Sequence, residues 1–600
     1  MAGSPGPLVL GPMLRYIGET DATVWVETSG ADVVTVEADG REWRAPTFSV
    51  KGHHYALVVV DGLAPGDELP YAVRIGDEPV WPPAGHAFPP PRIRTIDRSR
   101  PTRLLFGSCR TSVSHDRAGN ASNGVDALRT LALALADGAA QWPDLLAFVG
   151  DQVYADETSE EMRAFIAARR DITQPPGEEI KDYEEYAHLY GLAWSDDAIR
   201  WLLSSLPSCM IFDDHDIRDD WNTSWTWQEE INRTPWWHER LMGGLSSYWV
   251  YQHLGNLPPG ELAEDEVYSR LLGTSGAGGA GGVAGAGGAG GVAGADGPKA
   301  GEVDLTEPLF DLARRVDRHP EVYRWSYRRD LGDCRLVVVD SRAARVLDPH
   351  HRSMLDPDEM AWLDEQLTGD VEHLFIGTSL PFLLPPGLHD FEAIDEVLAE
   401  GAHGRLVATV AERARQSIDL EHWAAFNEGF AEVFDIVMDV ARGNRGRAPS
   451  TIVFLSGDVH NSYLAEVTDA AERHGARSRI VQAVCSPIRN PMPRAVRVMM
   501  SAFARSLVRP MRFVAGRSKR VPDPAYPWLV TDGPWFDNCL AEATIQGPDV
   551  AIVWRGGEVR DGDDLHPVLT TVGAVRIPGG QDVGVGIGES AADERHTVTR

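Results

Sequence analysis

Cysteine is scarce in this 600-residue chain: Cys109, Cys209, Cys334, Cys485 and Cys539 are odd in number and widely scattered. That spacing excludes a disulfide framework and fits a reducing compartment. No apolar run is long enough to cross a bilayer. The opening MAGSPGPLVLGPMLRY lacks the basic region and long apolar core of a secretion signal, so a cytoplasmic protein is the expectation. Positive charge is also short. The 56 Lys and Arg face 89 Asp and Glu, a formal net charge of −33, which repels polyanions and argues against stable nucleic-acid binding. No P-loop string or G-x-S-x-G elbow stands in a context that supports nucleotide triphosphate turnover or serine hydrolysis.

What is present divides into blocks, since 600 residues exceed what one core usually serves. Residues 8–95 alternate apolar with polar and are broken by Gly, Asp and Pro, which predicts strands. The stretch DGLAPGDELPYAVRI resembles the turn and late strand of fibronectin type III-like sandwiches, with Tyr71 near their tyrosine corner. The proline cluster Trp81–Arg92 reads as a stiff linker, which places a first domain at 1–97. The rhythm then becomes strand, loop, helix, an α/β layered domain over 98–573 in which RIVQAVCSP is the last core strand. A Gly/Ala-rich insertion at about 273–300 has too little to bury to hold a fold, and a tail from 574 to 600 reads as flexible.

Four predicted strand ends carry polar side chains: G-S-C-R (Gly107–Arg110), G-D-Q-V-Y (Gly150–Tyr154), D-D-H-D (Asp213–Asp216) and G-D-V-H (Gly457–His460). One such end fits a satisfied polar turn as well as a site. Four in one α/β domain point to a shared metal centre, because loops after strand ends are where such folds build sites.

In this order the motifs resemble the metallophosphoesterase superfamily, and within it the PhoD-like alkaline phosphatases, over roughly residues 8–555. The resemblance implies a four-layer α/β/β/α sandwich behind a small β-sandwich. It also implies a two-cation site that hydrolyses phosphate esters with a metal-activated hydroxide, as a phosphomonoesterase, a phosphodiesterase or both. Asp151 would bridge the cations. Tyr154 shares its turn and would reach the first one with Cys109 and His460; the anionic phenolate and thiolate favour Fe(III) there. Oxygen from Asp151, Asp214, Asp458 and Asn222 would hold the second, which suits Ca(II), with other divalent metals open. His215 would protonate or stabilise the leaving oxygen.

Plainer readings stand beside these. Tyr154 could be a buried aromatic, Cys109 a core thiol and Asn222 a cap. Arg110 could grip a phosphate oxygen or pair with nearby acids. Asp156, Asp213, Asp216, Asp219 and Asp220 read as supporting or solvated, and His389 as a surface-loop residue. The histidine that other superfamily members add at a further strand end is missing, because T-S-L-P-F stands there. The rival class is a catalytically inactive metal-binding interaction protein with a β-sandwich module.

Residues 491–522 carry eight Lys and Arg and no acid. Val496, Val498, Met499, Phe503 and Leu507 allow a helix with one buried face. Its cations could pair with the protein's own acids, meet a membrane surface, or form a cationic wall beside the metals.

Overall fold

The computed structural model describes residues 6–275, 302–348, 351–399, 407–408, 411–413, 415, 420–505, 512–513, 521 and 524–580. The alternating N-terminal stretches pair as strands. Ala22–Thr28 runs antiparallel to His53–Val60 with Val24 opposite Val58. They lie in a sheet ordered Leu8–Ile17, Ala22–Thr28, His53–Val60, Phe48–Val50. Alternation sends Val24, Val26, Val58 and Val60 into one core with Val34, Val36 and Val73 of a second sheet. That second sheet is ordered Arg41–Pro46, Val33–Ala38, Glu68–Ile75, Glu78–Trp81. A late strand, Val303–Asp304, joins the first sheet beside Phe48–Val50.

The other face of this module is welded to the α/β part. Trp25, Phe48, Tyr55 and Leu57 belong to the main core, and the Tyr55 hydroxyl lies 3.0 Å from that of Tyr183 and 3.1 Å from that of Tyr251. Buried Arg15 donates to the carbonyls of Tyr251 and Gln252, both at 2.6 Å. Tyr71, expected at a corner within its own module, donates across the junction to the Ser204 carbonyl at 2.6 Å. The proline-rich stretch is packed as well. Phe88 stacks on Trp201 with centroids 5.2 Å apart, and the Trp201 indole donates to the Pro89 carbonyl at 2.7 Å.

Beyond it lie two larger sheets. One has six strands, in the order Ser208–Ile211, Leu145–Val149, Thr102–Gly107, Leu540–Gln546, Asp549–Glu558, Val568–Ile577. The first three are parallel and the rest antiparallel. The other has seven: Tyr327–Leu331, Cys334–Val339, His373–Thr378, Thr451–Ser456, Arg479–Val484, Ser462–Val467, Trp528–Trp535. Side-chain alternation gives it two apolar faces. Leu336, Val338, Phe375, Val453 and Leu455 share the main core with Leu104 and Phe106 of the six-stranded sheet. Val337, Val339, Ile376 and Phe454 face a second core filled by Phe430, Phe434 and Val437 of the helix Asn427–Arg442.

Three expectations change. RIVQAV is not the last core strand, because Trp528–Trp535, Leu540–Gln546, Asp549–Glu558 and Val568–Ile577 follow it, and Leu540–Gln546 lies directly against Thr102–Gly107. The expected tail starts late, since Ala574–Ile577 still pairs with Val550–Val553. The basic helix Arg494–Arg505 buries Met500 and half-buries Val496 and Phe503 against Leu388 and Phe391 of the helix Pro386–Ala399. Val498 and Met499 point outward, 72% and 49% exposed, because the helix turns them off that contact. Most of the Gly/Ala-rich insertion, residues 581–600 and most of 506–520 lie outside the described residues.

The module junction generates a pH prediction. His53 lies 2.9 Å from both Glu27 and Glu184. Burial opposes its charge, but the two carboxylates win and raise its pKa to about 9. A folded-state value above the unfolded one stabilises fully below about pH 6.5 and fades as pH rises through about 9. Urea unfolding should therefore find His53→Gln less stable than wild type by about 2–3 kcal/mol at pH 6, with the gap closing by pH 9.5. A gap that is constant with pH would assign His53 a packing role only.

Candidate metal centre

The four polar strand ends converge because their strands are neighbours in two stacked sheets. Cys109 follows Thr102–Gly107, Asp151 follows Leu145–Val149, Asp213 and Asp214 follow Ser208–Ile211, and Asp458 follows Thr451–Ser456. The turns are sharp. Cys109, Asp151, Asp458 and His460 all have left-handed backbone, with φ of 58°, 49°, 63° and 47°. Such geometry is uncommon outside glycine and clusters at functional sites. The glycines before two of these aspartates are needed for close approach. A Cβ on Gly457 would lie 1.9 Å from Ser108 Oγ, and one on Gly150, itself at φ 109°, would lie 2.9 Å from the Asp213 Cβ.

The result is a cluster in which Asp151, Asp213, Asp214 and Asp458 each bring a carboxylate oxygen within 4.8 Å of the others. A second, overlapping group joins Asp151, Asp214 and His215. Cys109 Sγ is 3.3 Å from Asp151 Oδ2 and accepts from Ser486 Oγ at 3.2 Å. The Tyr154 hydroxyl is buried beside Cys109 and Asn490 without a well-formed hydrogen bond to either. Asp151 Oδ1 and Asp213 Oδ2 are likewise buried without a hydrogen-bond partner among the described residues, and Asp214 Oδ1 has the ion pair with Arg342 Nη2 at 3.2 Å in place of a well-formed hydrogen bond. Orphaned buried oxygens of this kind are costly unless something outside the chain satisfies them.

Electrostatics state the same shortage. Burial, then the neighbouring Cys109, pushes the Asp151 carboxyl well above the usual carboxylate range, and burial raises Asp213 and Asp214 against the pull of Arg342. Burial and Asp458 push the Cys109 thiol to about 12, and burial raises the Tyr154 phenol. Without cations the thiol and the phenol hold protons, and the carboxyls hold theirs more tightly than free ones do. Cations would displace them and meet the orphaned oxygens, so the donor set fits metal ions: carboxylates throughout, with a thiol and a phenol on one side.

His215 sits with its ring 4.6 Å from that of Tyr154, and its Nδ1 is 2.9 Å from Asp156 Oδ1. Burial disfavours its charge, yet Asp156 and Asp214 hold its pKa well above the ordinary value. Asp156 is held down to about 2, burial notwithstanding, by His215. Asp156 is thus the orienter of His215. Asp213 and Asp216, read as supporting or solvated, are fully buried, and Asp213 belongs to the cluster itself.

The other expected members differ in placement. The Arg110 guanidinium is buried and closed on Asp126, at 2.8 and 3.0 Å, and on the Ala193 carbonyl at 2.7 Å. Its donors are spent on an acid partner, which displaces the phosphate-gripping reading. Asn222 has left-handed backbone, and its amide nitrogen donates to the Arg342 carbonyl at 3.2 Å. His460 lies outside both carboxylate groups but close enough for Asp458 and His215 to act on its charge; burial lowers its pKa to about 4. His389 is not on a surface loop: it is buried in the helix Pro386–Ala399 against Phe430 and Trp528.

Several residues escaped the sequence. Fully buried Arg342 pairs with Asp213, with Asp214 at 3.2 Å and with Glu421 at 2.5 Å. Arg345 adds a second contact to Glu421 at 3.1 Å. His422 joins Glu392, at 2.8 Å, to Asp458, at 3.1 Å. Arg342 had a signal in Asp340–Ser341–Arg342, a further polar strand end; Glu392, Glu421 and His422 had none. The basic helix lies beside the G-D-V-H turn through Val459. Its continuation shows one cation paired with an acid of the protein, Arg512 with Asp390 at 2.7 Å.

Comparison with known proteins agrees with this geometry. Residues 131–271 match the family described as PhoD-like phosphatase, a span holding G-D-Q-V-Y and D-D-H-D. Over that span the chain is similar to the PhoD-like phosphatases. A solved structure described as "Structure of PhoD" superposes with a TM-score of 0.57 at 13% identity, over 98% of this chain and 94% of that one, which establishes a shared fold. Residues 6–93 match a domain of unknown function, DUF7800. The type III pullulan hydrolase from Thermococcus kodakarensis aligns at 10% identity over 94% of this chain and 97% of that one, but its TM-score of 0.13 carries no argument. No curated protein matches.

If Asp156 orients His215, Asp156→Asn should cut kcat on the order of 10–100-fold while leaving metal content unchanged. The imidazole resonances of His215 should also show a lower pKa. Lost metal would instead place Asp156 among the ligands.

Proposed function

We propose that the protein is a metal-dependent phosphoesterase, acting on phosphate monoesters, diesters or both at a two-cation site. The observation that carries the reading is the buried convergence of Asp151, Asp213, Asp214 and Asp458 with orphaned oxygens, next to Cys109 and Tyr154. Cys109, Tyr154, Asp151 and His460 would hold Fe(III). Asp151, Asp214, Asp458 and Asn222 would hold Ca(II) or another divalent cation. When bound, such a pair supplies Lewis acidity, a lowered pKa for attacking water, and charge to offset the phosphate.

The chain's own residues do the rest. Asp151 sits between the two donor sets, so it ties their spacing to one rigid strand end. Arg342 fixes Asp213 and Asp214 in place, and so limits how far the pocket relaxes as charge develops. His215, beside Asp151 and Asp214 and with Nδ1 occupied by Asp156, keeps Nε2 to give a proton to the leaving oxygen. The paired larger sheets support a four-layer sandwich, and the two N-terminal sheets a fibronectin type III-like one, with the boundary between them near 97. The rival reading, an inactive binding protein, leaves the Asp156–His215 pair without a task.

The test is leaving-group dependence in the metal-replete protein. His215→Asn should lose far more activity on an alkyl phosphate than on p-nitrophenyl phosphate or its bis ester, because only the poor leaving group needs the proton. Equal losses would remove His215 from that role, and a wild type inert on every ester would hand the site to the binding reading.

A further inference from the structure

We propose that Ser108 and Ser486 are positioning residues of the metal centre: their hydroxyls donate to the Cys109 sulfur and set how strongly it neutralises the first cation. The inference rests on the metal-centre reading above, in which Cys109 is a ligand. Distances support that part of the reading. Two donors on one ion, sulfur at about 2.3 Å and oxygen at about 2.1 Å, stand about 3.1–3.6 Å apart. Cys109 Sγ and Asp151 Oδ2 are 3.3 Å apart. Both hydroxyls reach the same sulfur, Ser108 Oγ at 3.1 Å and Ser486 Oγ at 3.2 Å, and all three side chains are fully buried.

Hydrogen-bond counting fixes the direction. A serine hydroxyl has one hydrogen to give and two lone pairs. Ser108 Oγ accepts the Asp458 backbone N–H at 3.1 Å, and Ser486 Oγ accepts that of His460 at 3.2 Å. Each hydroxyl hydrogen is then left with the Cys109 sulfur as its only acceptor among the described residues. A thiolate on a cation carries no hydrogen, so it accepts both. The two donors come from separate places in the fold. Ser108 follows the strand Thr102–Gly107 and Ser486 follows Arg479–Val484, yet both oxygens are pinned by the one G-D-V-H turn. Hydrogen bonds to a ligating sulfur draw charge from it and weaken its donation. That keeps the cation a stronger Lewis acid and, where it is redox-active, favours its lower oxidation state. A bare thiolate beside Asp151 and Tyr154 would cancel more of the charge that offsets a phosphate ester.

The probe is Co(II), added to saturation to chelator-stripped full-length protein and followed by absorption. Wild type should show a sulfur-to-metal charge-transfer band that is lost in Cys109→Ser. Ser108→Ala and Ser486→Ala should each move that band to longer wavelength, because a sulfur without the hydrogen bond gives up its electron at lower energy, and the double variant should move it further. Ser486→Thr keeps the hydroxyl and should hold the band at the wild-type position, a rescue that a packing role would not produce. A band fixed at the wild-type wavelength in both alanine variants would overturn the inference and leave the hydroxyls as partners of the Asp458 and His460 amides. A shift in one variant alone would overturn the two-donor arrangement and confine the role to that serine. Wild type that binds Co(II) without the band, or whose band survives Cys109→Ser, would take Cys109 out of the cation's shell, and so overturn the reading beneath the inference rather than the inference alone.

Discussion

Carboxylates brought together out of water repel one another and miss their hydration, and the centre of this fold is built around that cost. Asp151, Asp213, Asp214 and Asp458 are held within reach of one another by strand ends with left-handed backbone at Asp151 and Asp458, and glycines clear the space for it. The chain supplies only part of the compensating charge: Arg342 for Asp213 and Asp214, His215 through Asp156, and His422 for Asp458. What remains, orphaned oxygens with a thiol and phenol held protonated, is a cluster of defined chemistry with a charge deficit. Metal ions are the species that fill such a deficit.

The rest of the architecture holds that unfavourable arrangement in place. Two stacked sheets bury their facing sides in one core, so the strand ends cannot drift apart without opening it. The N-terminal module adds to the same core with Trp25, Tyr55 and Leu57, and is fastened by Arg15, His53 and Tyr71. Helix Pro386–Ala399 serves twice, since Glu392 grips His422 on the way to Asp458 while Leu388 and Phe391 seat the basic helix. Stability is lost at the site and recovered in the packing around it.

Much of this was legible in the sequence, for a physical reason. A buried parallel strand writes a short apolar run, and a site at its end writes polar residues directly after it. Both marks are local, so GSCR, GDQVY, DDHD and GDVH could be read one at a time. The compensating partners are not local. Arg342 reaches back to Asp213 across 129 positions and forward to Glu421, and His422 meets Glu392 30 residues back and Asp458 36 ahead. Arg110 misled because its neighbour Cys109 is in the cluster, while its own side chain reaches Asp126 at the start of the helix Ala127–Ala136. The late strands were missed for another reason. Trp528–Trp535 contains Gly533 and Pro534, turn formers that break the strand pattern, yet it pairs with Ser462–Val467 through register shifts.

A metal centre in this buried cluster requires an exchange of protons for cations, and calorimetry reads that exchange directly. Chelator-stripped protein titrated with metal at pH 7, in buffers of different ionisation enthalpy, gives the protons released per ion bound. The expected result is net release of about two or more protons per protein as Asp151, Asp213, Cys109 and Tyr154 give theirs up, and much less in Asp151→Asn. Binding with no proton release, or release unaffected by Asp151→Asn, would contradict it.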